Sequence, residues 1–194
     1  MRVILLKQNP WRFFTSKNLQ RGFTIAVLAA FAMIIGVFAL NHFRLQRPLK
    51  KVVGQDARNQ GVHAKAYYDS YFNTGTIVFD VRNVGAPAGA ADVVRSFIAF
   101  AHELQGRDID EVVIAWRGNR KVKIDGDDFL SLGASVGTTT PRKLLWELAH
   151  DLRYLNGKQV VANLPGNYAK LLQTALGDGN EEAAATQLLG AFSQ

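Results

Sequence analysis

Gly133-Ala134-Ser135-Val136-Gly137 fits the G-x-S-x-G spacing that sets a nucleophilic serine on a strained turn between a strand and a helix. The chemistry needs more than spacing. In that arrangement the acid and the histidine follow the serine in the chain. Beyond Ser135 only His150 remains, and Glu147 is the only carboxylate between them. A small Gly/Ser loop accounts for the same five residues without catalysis. Ser135, with His150 or His102, therefore stands as a candidate for a serine-type hydrolase.

His102-Glu103 and His150-Asp151 are the other tempting pairs. Neighbours on a helix point about 100° apart, so neither pair presents both groups to one ligand. Neither fits H-E-x-x-H. A metal-assisted hydrolase would need both histidines to meet, with Glu103 or Asp151 as a further ligand. Otherwise they are surface or packing histidines. Asp125, Asp127 and Asp128 gather carboxylates that could attract Ca²⁺ or Mg²⁺. An EF-hand counted from Asp125 would need glutamate at its twelfth position and has Val136 there. Turn and helix-start roles explain these aspartates. No phosphate loop or cofactor motif appears, so no cofactor is expected. The chain has no cysteine, which excludes disulfides, cysteine-bound zinc and thiol catalysis.

Trp116, Arg117, Arg120 and Lys123 cluster at a turn sequence and could form a protein-binding patch, since arginine and aromatics are enriched in interfaces. Strand alternation gives the competing reading, with Trp116 in the core beside a solvated turn.

The elements that must position these groups begin with a membrane segment. From Gly22 to Phe43 there is no Asp, Glu, Lys or Arg. About twenty helical residues cross a hydrocarbon core of about 30 Å. The apolar run has no polar face, unlike a soluble helix, and is longer than a signal peptide's apolar region. The expectation is an uncleaved, single-pass signal anchor. Ala26-xxx-Ala30 and Ala32-xxx-Gly36 are spacings that permit close helix approach, and so a homo-oligomer.

Charge follows the same division. The formal net charge is +7. Nine of the 23 basic residues and none of the 16 acidic ones lie in residues 1–51, which leaves 14 against 16 beyond them. The basicity belongs to the membrane flanks. No nucleic-acid partner is expected, because the remainder carries no basic excess of its own. Lys and Arg are balanced at five on each side of the span. The short basic N-terminal arm favours a cytoplasmic N-terminus, since long domains translocate largely regardless of charge. The C-terminal domain is then extracytoplasmic, as on a bacterial inner membrane.

The organisation expected is a basic arm at 1–22, a transmembrane helix at 23–43, a polar tether at 44–65 and one globular domain at 66–194. That domain reads as a mixed-sheet α/β or α+β fold. In TIVFDVRNV, Ile77, Phe79 and Val81 alternate with Val78, Asp80 and Arg82, which predicts a strand with one buried face. Val93, Val94, Phe97, Ile98, Ala101 and Leu104 have helical spacing. EVVIAW is apolar on both faces and suits a central strand, with KVKI returning beside it. Thr140-Pro141 starts a helix whose stripe is Leu144, Leu145, Leu148, Leu152 and Leu155. QVVANL reads as a short strand. Two further helices are expected, one with Leu171, Leu172, Ala175 and Leu176, and one with Leu188, Leu189 and Phe192. The fragment AHEL and its echo AHDL each lead into a strand, which favours a crossover connection. A domain of about 140 residues can bury one core. Its function is expected to be binding a protein partner or helping assemble an envelope complex.

Overall fold

The computed structural model describes residues 16–70 and 74–163, together with Ala183 and Thr186. The two C-terminal helices expected from sequence, with Leu172 in the first, lie outside the described residues apart from Ala183 and Thr186. Two compact units divide the chain, Met1–Ala39 and Leu40–Gln194. The described part of the first belongs to helix α1, Ser16–Asn41. This helix is long and apolar enough to cross a membrane, and none of its most apolar stretch is buried. Phe23, Leu28, Phe31, Met33 and Ile35 are all more than half exposed.

The second unit starts earlier than the sequence suggested. Residues 44–65 are not a tether. A π-helical turn, His42–Gln46, leads into helix α2, Arg47–Gln55. A 3-10 turn, Ala57–Asn59, precedes strand β1, Val62–Tyr68. Leu45, Leu49 and Val62 are buried in the main core, and Val52 is buried as well. The segment looks polar because its few apolar residues all fall on one helix face, while Arg44, Arg47, Lys50 and Lys51 stay exposed. Side chains on this segment also cover the β1 edge. Asn41 Oδ1 accepts the Tyr68 N–H at 2.8 Å, and Gln46 Oε1 accepts the Ala66 N–H at 3.4 Å. An edge strand otherwise leaves such donors open to pairing with another chain.

Among the described residues the sheet is mixed and has five strands in the order β1-β2-β3-β4-β5. Strand β2 is Thr76–Val84, β3 Glu111–Trp116, β4 Asn119–Asp125 and β5 Arg153–Tyr154. Only β2 and β3 run parallel, and helix α3, Ala90–Glu103, connects them. This is the crossover that the AHEL unit predicts. The expected one-faced burial of β2 is corrected. Ile77, Phe79 and Val81 enter the main core, but Val78 and Asp80 are also buried, and on that second face Val78 packs with Val113, Ala115 and Tyr67. Strand β3 is apolar on both faces as its sequence requires. Val112 and Ile114 join the main core, while Val113 and Ala115 form a smaller cluster with Val78.

Helix α4, Gly126–Ala134, and helix α5, Pro141–Asp151, complete the helical side. Phe79 from β2, Phe97 and Phe100 from α3, and Phe129 from α4 form an aromatic group, with centroids 5.1–6.3 Å apart. Such edge and tilted contacts add to the area buried. Leu144, Leu145, Leu148 and Leu152 are buried, but Leu155 is 47% exposed because α5 has already ended. Thr140 takes the cap position and Pro141 the first helical one, although the Thr140 hydroxyl makes no capping bond. The AHDL echo closes differently from AHEL. QVVANL is not a strand. Gln159 makes one bridge to Arg153, and Val160–Asn163 then turns into the short helix α6, burying Val160.

Candidate functional sites

The residues around Ser135 have structural explanations. The serine follows helix α4 directly, so the spacing G-x-S-x-G is met while its strand–turn–helix setting is not. A Cβ on Gly133 would stand 2.4 Å from the Ala101 carbonyl carbon, so this glycine lets α4 approach α3. Gly137 has φ +84°, a left-handed turn that an L side chain resists. The Ser135 carbonyl accepts the N–H groups of Thr138 (3.2 Å) and Thr139 (3.1 Å), which winds the loop shut. Among the described residues no histidine hydrogen-bonds to Ser135. Gly133→Ala should lower stability by about 1–3 kcal/mol through overpacking. Ser135→Ala should stay within about 0.5 kcal/mol. Denaturant unfolding of the full chain in detergent checks both.

The two histidines do not meet as ligands. His102, exposed in the last turn of α3, places Nδ1 2.9 Å from the Gly133 carbonyl and donates to it, fastening α3 to α4. His150 on α5 has Nδ1 2.9 Å from the Trp146 carbonyl one turn back, and its ring lies 4.1 Å from the Trp146 ring. Glu103 binds Lys51 Nζ through both oxygens, at 2.8 and 2.9 Å. Asp125 occupies the position before α4, and Asp127 and Asp128 its first turn. Carboxylates there complement the helix dipole. Among the described residues no three His, Cys, Asp or Glu side chains gather as a metal set.

One carboxyl is disfavoured as a charge. Burial, and then the nearby Asp128 and Glu147 carboxylates, push Asp151 above its ordinary value. A raised folded pKa means the native state holds this proton more tightly than the unfolded chain does. Ionised Asp151 therefore costs stability at neutral pH, and the cost fades as pH falls through its folded pKa. Asp151→Asn should raise the melting temperature at neutral pH. Its advantage should shrink towards zero with acidification, read from paired melts across pH.

The hairpin tip brings Trp116, Arg117 and Arg120 close along the chain, while Lys123 stands further down β4, opposite Val113. Arg117 and Gly118 form the two-residue turn, with φ of 51° and 85°, the signature of a type I′ hairpin. Trp116 is 38% exposed, so the core reading of this tryptophan is corrected. It is the last residue of β3, at the end of the sheet where packing stops. The Arg117 guanidinium lies over its ring, 5.5 Å from the centroid. Arg120 pairs with Asp69, and Lys123 pairs with Glu111 at 2.6 Å. Trp116 and Arg117 are thus the displayed pair, while Arg120 and Lys123 are occupied by carboxylates.

Asp80 holds that tip, and sequence reading missed its importance. It is fully buried. Oδ1 accepts the Gly118 N–H at 3.0 Å. Oδ2 lies 2.6 Å from an Arg82 guanidinium nitrogen, a charge contact without the alignment of a hydrogen bond. The Arg117 N–H donates to the Val81 carbonyl at 2.8 Å, so β2 grips the turn twice. An aspartate inside TIVFDV was the available signal, since a charge rarely enters a buried strand unpaired. Sequence could not have shown the groove of about 400 Å³ between α3 and the start of α5. Val94, Ile98, Leu144 and Leu145 line it, with Arg58 and Arg95 alongside. Those two arginines pair with Asp56 and Asp92, and the Arg58 contact lowers the Asp56 carboxyl to about 2.

Comparison with known proteins finds no matching family model, no matching curated protein and no matching solved structure.

Proposed function

We propose that this protein is a single-pass membrane anchor with a cytoplasmic N-terminus, whose extracytoplasmic domain binds a protein partner in an envelope complex. The observation that carries the reading is α1, whose large apolar side chains are exposed along its length with no charge from Gly22 to Phe43. A hydrocarbon environment removes the cost of that surface. The partner-binding part rests on the hairpin tip. Trp116 and Arg117 are exposed and stacked on each other, and the turn that carries them is pinned by buried Asp80. Rigid aromatic and arginine anchors of this kind dominate binding energy at protein interfaces.

Crosslinking in native membranes, read by mass spectrometry, tests it. The parent chain should give a discrete crosslinked species. Trp116→Ala combined with Arg117→Ala should weaken it by an amount equivalent to at least about 2 kcal/mol, roughly thirtyfold in affinity. An unchanged crosslink in the double variant would remove the tip from the interface. No crosslink at all from the parent would remove the partner.

A further inference from the structure

We infer that the outer face of α2 is a docking surface for anionic lipid headgroups, which lays the folded unit against the bilayer that anchors it. The inference rests on the anchor reading but not on which side of the membrane the domain occupies. Arg44, Arg47 and Lys50 are exposed, on the opposite side of the helical segment from buried Leu45, Leu49 and Val52. Among the described residues no ion pair joins any of the three to a carboxylate. Their neighbour Lys51 differs, because Glu103 holds it. Arg107 adds a fourth cation to this region, its guanidinium donating to the Arg44 carbonyl at 2.6 Å.

The occupant follows from charge and connectivity. Arg44 follows Leu40 by four residues, so the chain keeps it within roughly 14 Å of the end of the apolar run whatever the angle between the units. A surface tethered there meets lipid headgroups before any other macromolecule. Basic residues beside an anionic leaflet each gain about 1 kcal/mol. The segment is also rigid. Leu45 and Leu49 fix it into the domain core, so contact of its outer face orients the whole unit.

The chain has no cysteine, so a single reporter can be placed at Gly54, which is exposed with open space around it. The full-length Gly54→Cys chain, labelled with a fluorophore, is reconstituted into vesicles carrying a headgroup-linked quencher. Phosphatidylcholine alone is compared with a three-to-one mixture of phosphatidylcholine and phosphatidylglycerol. Quenching should be stronger in the anionic vesicles and should fall with added salt. Each cation removed in Arg44→Gln, Arg47→Gln and Lys50→Gln should lower the docked-to-undocked ratio roughly fivefold, which is about 1 kcal/mol. Arg142→Gln with Lys143→Gln, at the start of α5, should leave quenching unchanged. Unfolding curves of the exposed-face variants should match the parent. Quenching indifferent to lipid charge, in a chain that resists alkaline extraction, would overturn the docking surface and spare the anchor. So would a triple variant that quenches like the parent, or one that loses an acidic protein partner and keeps its lipid contact. Release of the chain by alkali would overturn both readings.

Discussion

A fragment beginning at Leu40 will unfold in one cooperative transition, and a fragment beginning at Ala66 will not. The shorter piece loses Leu45, Leu49, Val52 and Val62, each at most 5% exposed. Burying such side chains contributes about 1.5–3 kcal/mol apiece. Four of them approach the whole stability of a domain, about 5–15 kcal/mol. The cut also removes four of the seven residues of β1 that pair with β2, and strips the caps that Asn41 and Gln46 place on that strand. Circular dichroism against denaturant, on both fragments, is the measurement. Equal midpoints would mean that residues 40–65 are dispensable, as a tether would be.

Phe79→Ala should cost about 3–5 kcal/mol, the range for deleting a buried phenylalanine ring. Phe79 is fully buried on an inner strand and meets Phe97 at 5.1 Å and Phe100 at 5.8 Å. Those two residues carry α3 on the sheet, and each also touches Phe129 of α4. The cavity thus opens where three elements join. Phe79→Leu should cost less, because it keeps part of the volume. Equilibrium unfolding of the pair provides the comparison. A loss below about 1 kcal/mol for the alanine variant would show that the helical layer is held elsewhere.

The legible parts of the fold were those where periodicity and burial agree. Phe97, Val113, Ile114, Leu145 and Leu148 are buried where their spacing put them. The β3–β4 hairpin announced itself through Arg117-Gly118-Asn119-Arg120 between two runs of strand pattern, although Asn119 and Arg120 already belong to β4. What stayed hidden has common causes. In α2 the apolar residues are three in nine, and only tertiary contact shows that Leu49 and Val52 face a core. Strand β1 alternates Ala64 and Ala66 with His63 and Lys65, too small a contrast to read as a buried face. QVVANL had the composition of a strand, but beyond Gln159 it joins no strand among the described residues and coils instead.

The candidate sites divided in the same way. The G-x-S-x-G spacing was visible, but the purpose of each glycine was not. Gly133 answers to Ala101 on another helix, 32 residues away. Of Trp116, Arg117, Arg120 and Lys123, the first three lie at or next to the hairpin turn, while Lys123 lies opposite Val113, away from it. Which of them are displayed depended on Asp69 and Glu111, partners that spacing alone does not reveal.

Membrane attachment and sidedness are tested together by protease access after alkaline extraction. The full chain should remain with the membrane at alkaline pH. Protease added to the outside of intact spheroplasts should digest the second unit, Leu40–Gln194, and leave the basic N-terminal arm protected. Release of the chain by alkali would contradict the anchor. Digestion of the domain only after the membrane is opened would place it in the cytoplasm and contradict the proposed topology.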